Sequence, residues 1–326
     1  MVRFGLRLAL ESIGILFLSF TLIFLLLRGL GDPAQMLLGQ RSDQVSMAAI
    51  RAQLHLDAPL WKQYLYAWAD WLPYREGRWQ IPSLGTSYQY GRPVMELYLE
   101  RFPATAILAI SGLFLGFLLG VLLGLRQAIR PSWLLERGML AILALPGYVI
   151  GILLVVLLAI KAGPWTGFPP HGYIREFDLI KEAFVWRWRA WVLPALALSL
   201  RPAAHLFFLT YTQAQELLWS DFVRTARAKG KPTSRILLLD VGRNLLPTIA
   251  VSLSQWLAGL FTGAVFIEEL FDWPGVGKLL FSAMASSDFP LLMGISQLST
   301  LLFILLHAAG EIISRWADPR LRTLAQ

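Results

Sequence analysis

The sequence predicts an all-α integral membrane protein with about six transmembrane helices. Hydrophobic residues occupy 56% of the 326 positions and charged residues only 15%, whereas an average soluble domain carries about 25% charged residues. The mean hydropathy is +0.56. Because backbone amides in lipid must bond within their own segment, the long apolar stretches are predicted to be helices of about 20 residues each.

Six apolar stretches are the candidate spans. Five of them are continuous, and the sixth, 191–212, contains two prolines, Arg201 and His205. We interpret it as a span because proline is tolerated where neighbouring helices satisfy the freed carbonyls. A cleaved signal is the alternative for the first stretch, since Arg3 and Arg7 precede it. The predicted spans are 8–27, 104–125, 139–160, 191–212, 245–267 and 289–306.

The basic residues predict how the chain is oriented. The formal net charge is +8, and lysine and arginine collect in the short cytoplasmic loops of membrane proteins. Their distribution predicts that both termini are cytoplasmic. The charge is interpreted as contact with membrane lipid and not with nucleic acid, and the predicted location is the bacterial inner (plasma) membrane, crossed several times.

The sequence contains no pattern typical of an enzyme. Cysteine is absent, and neither an H-E-x-x-H nor a G-x-S-x-G motif occurs. Gly230-Lys231 is followed by Pro232 and lacks the upstream glycine of a P-loop. We therefore predict a non-catalytic protein that binds no cofactor or metal itself.

Glycines at a spacing of four mark faces where another helix backbone can approach closely. They are Gly112, Gly116, Gly120 and Gly124 in the second span, and Gly259 with Gly263 in the fifth. The stripes favour packing inside the bundle, with a subunit interface or a face of the translocation path as the alternative. Arg201 is the ionisable residue deepest in a predicted span, so it must face protein or a water-filled cavity.

A short basic segment between the fourth and fifth spans is predicted to be a helix on the cytoplasmic side. Ser220 or Asp221 is expected to cap its start, Gly230 suits a left-handed stop, and Pro232 prevents continuation. An ordinary basic loop is the alternative. The segment consists of Asp221, Phe222, Val223, Arg224, Thr225, Ala226, Arg227, Ala228, Lys229 and Gly230.

This string resembles the cytoplasmic signature loop of binding-protein-dependent ABC importer permeases of the oligopeptide, dipeptide and nickel family. Arg224, Thr225, Ala226, Ala228 and Gly230 match the core of the motif. Further fragments that resemble the family occur along the whole chain, in the family's order. They are Gly31-Asp32-Pro33, Leu56-Asp57, Leu84-Gly85-Thr86-Ser87, Phe102-Pro103-Ala104-Thr105, Arg243-Asn244, Phe271-Asp272-Trp273-Pro274-Gly275-Val276-Gly277 and Asp318-Pro319-Arg320. Departures are Phe208 and Tyr211 at positions where arginines are expected, and Asp240 where histidine is common.

The resemblance implies a type I ABC importer transmembrane-domain fold. Residues 1–103 would hold the first transmembrane helix and a long periplasmic or extracellular loop, and residues 104–326 a permease core of about five helices with a cytoplasmic coupling loop at 215–245. The implied partners are a second homologous permease subunit in a heterodimer, two ATPase subunits that carry ATP and Mg, and an extracytoplasmic substrate-binding protein. Segment 221–230 would contact the ATPase.

The resemblance implies import of di- and oligopeptides. Nickel or a metal chelate is the alternative substrate. A secondary carrier or channel that needs no ATPase is the alternative of another class, because it would explain the spans and the glycine stripes but not the signature loop.

Overall fold

The computed structural model describes residues 2–30, 51, 57–71, 74–75, 78–79, 84–172, 175–178 and 183–317. The helices before the middle of the chain are α1 (Val2–Leu30), α2 (Leu60–Trp71), α3 (Val94–Ile129), α4 (Trp133–Ala144), α5 (Gly147–Leu154), a π-helical segment π1 (Val155–Lys161) and α6 (Gly163–Thr166). Those after it are α7 (Arg189–Leu218), α8 (Asp221–Ala228), α9 (Thr233–Arg235), π2 (Ile236–Val241), α10 (Gly242–Gly263), α11 (Val265–Leu270), α12 (Val276–Ala285) and α13 (Phe289–Ala317).

Helices long and apolar enough to cross a membrane confirm the predicted class. In the described part of the chain there are 5, or up to 6 if one bent pair counts as a single span. The 5 candidates are Leu10–Gly29, Val94–Ile129, Arg189–Leu218, Thr233–Phe261 and Phe289–Ile312. Two antiparallel hairpins lie between spans: β1 (Tyr74–Arg75) pairs with β2 (Arg78–Trp79), and β3 (Arg175–Asp178) with β4 (Ala183–Trp186).

The third predicted span, 139–160, is wrong as a continuous helix. Helix α4 stops at Ala144, and the axis turns by 116° before α5 and π1 continue it. Leu145 has ψ 139° and Pro146 has ψ 143°, both extended values, since a proline disfavours helical geometry in the residue before it. Pro146-Gly147 therefore breaks the helix.

The fifth predicted span, 245–267, has different bounds. The apolar residues of π2 join α9 to α10, so the candidate span begins at Thr233 and ends at Phe261. Helix α10 ends at Gly263, and Val265–Leu270 forms the separate helix α11. In contrast, α7 is one helix with Pro194 and Pro202 inside it, which confirms the interrupted stretch as a span.

The chain divides into two compact units. The first comprises residues 1–103 with 279–301, and the second residues 104–278 with 302–326. In the first unit, Phe20 of α1 lies 4.3 Å, centroid to centroid, from the ring of Trp68 on α2. Asp288 caps α13 by accepting from Leu291 N (3.2 Å) and also accepts from Ser87 Oγ. Burial and the nearby Asp288 carboxylate raise the pKa of Tyr88 to about 12.

The core of the second unit forms around α7. Buried residues of this helix, among them Leu193 and Leu198, pack with Leu108 of α3 and with Ile267 of α11. A second cluster beneath α8 joins the end of α3, α7, π2 and α10. Both the predicted functional segment and the glycine stripe therefore pack against α7.

Candidate functional site

The predicted signature segment forms the amphipathic helix α8. Two of its eight residues are buried, Val223 (0% exposed) and Ala226 (6% exposed), and they pack in the cluster with Leu206, Ile236 and Leu245. The other residues of 221–230 are exposed. The spacing of three between Val223 and Ala226 places both on one side of the helix, so the inner side anchors α8 and the outer side is open.

The end of α8 is fixed by a Schellman motif. Gly230 has φ +71°, and its N–H donates to Arg227 O (2.9 Å), while Lys231 N–H donates to Ala226 O (3.2 Å). These are the 5→2 and 6→1 bonds of this helix end, which favours glycine at the left-handed position. The predicted role of Gly230 in stopping the helix is confirmed.

The predicted side-chain cap at the start of α8 is wrong. Ser220 occupies the capping position but makes no side-chain cap bond. Its hydroxyl donates instead to Leu217 O in the last turn of α7. Asp221 lies in the first turn, where a carboxylate stabilises the partial positive charge of the helix N-terminus.

An ion pair fixes the segment that leaves α8. Lys231 Nζ lies 3.1 Å from both carboxylate oxygens of Asp240 on π2, and Asn244 Nδ2 donates to Asp240 O (2.7 Å). Asp240, which departs from the residue expected in the family, is thus paired within its own loop. The pair ties the exit of α8 to the start of the following span.

Aromatic and apolar side chains are exposed beside the basic ones. Trp219, which follows α7, is 88% exposed, and Phe222 is 39% exposed. Phe222 also lines an open cleft of about 680 Å³ with Leu238, Leu239 and Arg243. Exposed aromatic and arginine side chains are typical of the anchors of protein interfaces.

The glycine stripe of α3 lies against α7. An added Cβ would come within 2.9 Å of Ser199 O at Gly116, 2.6 Å of Ala203 O at Gly120 and 2.8 Å of Phe207 O at Gly124. At Gly112 it would meet the Leu198 side chain at 3.2 Å. Any Cβ closer than about 3 Å to backbone would force the helices apart.

The glycines of the fifth span behave differently. A Cβ added to Gly259 would meet no heavy atom within 4 Å, so within the described residues this position is not a close helix crossing. The surroundings of Gly263 lie outside what the structure describes, as do the fragments at 31–34 and 318–320 and Leu56.

A buried carboxylate that the sequence did not single out holds the loop between α11 and α12. Glu268 is 0% exposed. It accepts hydrogen bonds from Thr105 Oγ1 (2.7 Å) and from the backbone N–H groups of Gly277 (2.7 Å) and Lys278 (3.2 Å). Val276 N–H in turn donates to Thr105 Oγ1 (2.8 Å). The sequence signal was an acidic residue at the end of an apolar run.

The residues around Glu268 leave no room for larger side chains. A Cβ on Gly275 would overlap the carboxyl group, and one on Gly277 would lie 2.5 Å from Val265 Cα. Trp273, also fully buried, donates from Nε1 to Ala104 O (2.9 Å). Glu268 lies beyond the candidate span that ends at Phe261, and burial raises its pKa to about 7 although the three hydrogen bonds lower it.

Two ionisable residues lie in mid-span on α7. Arg201 and His205, one turn apart, are exposed on a helix whose other nearby residues are largely buried. The described residues contain no group of three or more His, Cys, Asp or Glu side chains that could hold a metal ion.

Comparisons with known proteins identify the family. Residues 116–323 match the family of the binding-protein-dependent transport system inner membrane component, and residues 1–109 match its N-terminal membrane component. The chain belongs to this family. The matched ranges include α8, most of the α3 glycine stripe and the Glu268 loop.

Curated relatives cover nearly the whole permease. It is 33% identical over 310 residues to a probable D,D-dipeptide transport system permease protein, DdpB, of Escherichia coli, covering 89% of this chain and 88% of that protein. It is 30% identical over 328 residues to the di/tripeptide transport system permease protein DppB of Pseudomonas aeruginosa, covering 95% and 94%. These identities support the permease reading over a secondary carrier.

A solved structure supports the fold. The inward-facing MetNI methionine ABC transporter matches with a TM-score of 0.53 at 15% identity, covering 69% of this chain and 98% of that chain. The permease therefore has the type I ABC importer transmembrane fold and is a multi-pass inner membrane protein. Membership of the family implies ATPase and binding-protein partners, and a permease subunit of this kind is generally non-catalytic.

Proposed function

We propose that the permease forms half of a peptide translocation path and that α8 couples it to an ATPase subunit. The relatives that cover most of the chain are named for dipeptide and di/tripeptide transport, which favours peptides over nickel or a metal chelate. The observation that carries the coupling role is the geometry of α8. This helix ends in a Schellman motif, is anchored by two buried side chains and exposes its remaining surface.

The outer side of α8 suits a protein groove. Arg224, Arg227 and Lys229 are exposed basic residues on or next to it, and they complement a partner that presents carboxylates. Trp219 and Phe222 add apolar contact area at the same place. Because the cluster under α8 includes residues of α3, α7, π2 and α10, a displacement of α8 would be transmitted to these four elements of the core.

The remaining partners complete the proposal. ATP and Mg bind to two separate ATPase subunits, a second homologous permease supplies the other half of the path, and an extracytoplasmic binding protein delivers the peptide. Both termini and α8 face the cytoplasm, in keeping with the basic residues of the short loops.

Reconstitution tests this function. Proteoliposomes that contain the permease, its partner permease and two ATPase subunits are expected to import a labelled dipeptide only when ATP is inside and the binding protein outside. Vesicles with a Walker A lysine variant of the ATPases are the control and should import none. Dipeptide accumulation by this permease alone, or equal accumulation without ATP, would contradict the proposal.

A further inference from the structure

Arg201 and His205 lie at the middle of the most buried candidate span. Helix α7 has 30 residues, about 45 Å at 1.5 Å per residue, which places Arg201 about 4 Å and His205 about 2 Å from its midpoint. The span window of α7 is 61% buried, against 17–33% for the other four candidates. Both side chains therefore lie near the middle of this candidate span, on the central helix of the second unit.

The two side chains share an exposed stripe. Pro202, Ala203, Ala204, Leu206 and Phe207 around them are buried, whereas Arg201, His205 and, further along, Thr212 are exposed. Spacings of four and seven place these three on one face of the helix. Phe208, half-buried, lies between His205 and Thr212 on the same face, so the stripe carries polar side chains at Arg201, His205 and Thr212 and one aromatic ring.

Neighbouring elements shape the surroundings of the stripe. Arg201 Cδ lies 3.8 Å from the point where a Cβ on Gly147 would sit, so the arginine passes the break between α4 and α5. The His205 ring contacts Trp256 of α10 edge to face, with 5.8 Å between centroids. The stripe therefore lies beside α5 and α10 of the same unit.

No carboxylate of the described residues pairs with Arg201. A charge in the hydrocarbon centre costs at least about 2.5–3.5 kcal/mol, so such residues face a water-filled cavity or an anion. A guanidinium binds a carboxylate through two parallel N–H···O bonds. Every peptide with a free C-terminus carries a C-terminal carboxylate, and in secondary transporters the substrate sites lie near the bilayer midplane.

We infer that Arg201, with His205 beside it, forms a mid-membrane site that receives the C-terminal carboxylate of the translocated peptide, an inference that rests on the proposed function. Arg201 faces the aqueous path between the two permease subunits and binds the carboxylate transiently. His205 and Trp256 line the same wall.

Charge-selective labelling tests the site directly. The chain has no cysteine, so His205→Cys is a single reporter in the reconstituted complex with cysteine-free partners. We expect labelling by both anionic and cationic methanethiosulfonate reagents, with the anionic-to-cationic rate ratio falling about 5- to 10-fold when Arg201→Gln is added. Ile110→Cys, about 2 Å from the midpoint of α3 and 58% exposed, is the matched control on an apolar face and should react at least 10-fold more slowly.

Peptide probes test the ligand. L-alanyl-L-alanine at saturating concentration should slow labelling of His205→Cys by about 3-fold or more, and its C-terminal amide should not. With His205 intact, Arg201→Gln should lower dipeptide uptake at least 10-fold, and Arg201→Lys should restore part of it.

Several results would overturn the inference. The first three are no labelling at position 205, an anionic-to-cationic labelling ratio that does not depend on Arg201, and equal protection by L-alanyl-L-alanine and its C-terminal amide. The fourth is loss of the partner permease from purified Arg201→Gln complexes, which would identify an ion pair between subunits. Failure of the proposed function has a different signature. The unmodified complex would not import the dipeptide, whereas the anionic-to-cationic labelling ratio at position 205 would still depend on Arg201.

Discussion

Gly120→Leu is expected to prevent the permease core from folding. A side chain at this position would start 2.6 Å from Ala203 O and 2.7 Å from Leu206 Cβ, and backbone on α7 cannot move away without opening the contacts at Gly116 and Gly124. Overpacking commonly costs about 1–3 kcal/mol and more when backbone must shift. We expect Gly120→Ala to lower the free energy of unfolding by about that amount and the leucine variant to give no monodisperse protein.

Gly14→Leu is the matched control for this experiment. Gly14 lies within the span of α1, and an added Cβ there would meet no heavy atom within 4 Å. Its leucine variant should therefore match the unmodified permease in yield and in thermal midpoint, both measured in detergent by size-exclusion chromatography after heating. A stable Gly120→Leu permease would show that α3 and α7 do not pack through this stripe.

Glu268→Gln is expected to remove a pH dependence of stability. The folded pKa of Glu268 is about 7, above its ordinary value of 4.5, so the folded chain holds this proton where the unfolded chain has released it. Stability from this group is present below pH 4.5 and is lost as pH rises through about 7, by roughly 3 kcal/mol in total. A glutamine amide at this position stays neutral, and the loss should not occur.

The thermal midpoint at pH 5.0 and pH 8.5 checks this expectation. The unmodified permease should be less stable at the higher pH, and the difference between the two midpoints should shrink in Glu268→Gln. Glu269→Gln is the control because Glu269 is the adjacent, exposed carboxylate, and it should keep the full difference. Equal pH dependence in Glu268→Gln and the unmodified permease would show that Glu268 does not titrate in this range.

Elements that depend only on residues close together in the sequence were mostly predicted correctly. Long apolar stretches predicted the spans, and the glycine and proline at 230 and 232 predicted the end of α8. These features follow from hydrophobic length and from backbone conformation, which a single segment determines. The predicted cap at Ser220 does not form, and the Ser220 hydroxyl donates to Leu217 O in the preceding helix.

Long-range contacts explain what the sequence did not predict. Glu268 is held by Thr105, 163 residues earlier, and no pattern in the sequence joins the two. The size of the bend at Leu145 was not predictable from Pro146-Gly147 alone, because Gly151 packs on Leu270 and Ile267 of α11. The exposure of Arg201 likewise depends on which faces of α7 the neighbouring helices cover.

The contact between α8 and the ATPase is the central claim, and a disulfide tests it most directly. Ala228 is exposed on α8, and Trp165 of α6, 91% exposed, lies on the predicted outer side. In the cysteine-free complex, Ala228→Cys should form a disulfide with one of a series of single cysteines on the ATPase surface, and oxidation should stop dipeptide uptake until a reductant is added. Trp165→Cys should form none with the same series. Crosslinking at position 165, or at neither position while uptake is normal, would contradict the account.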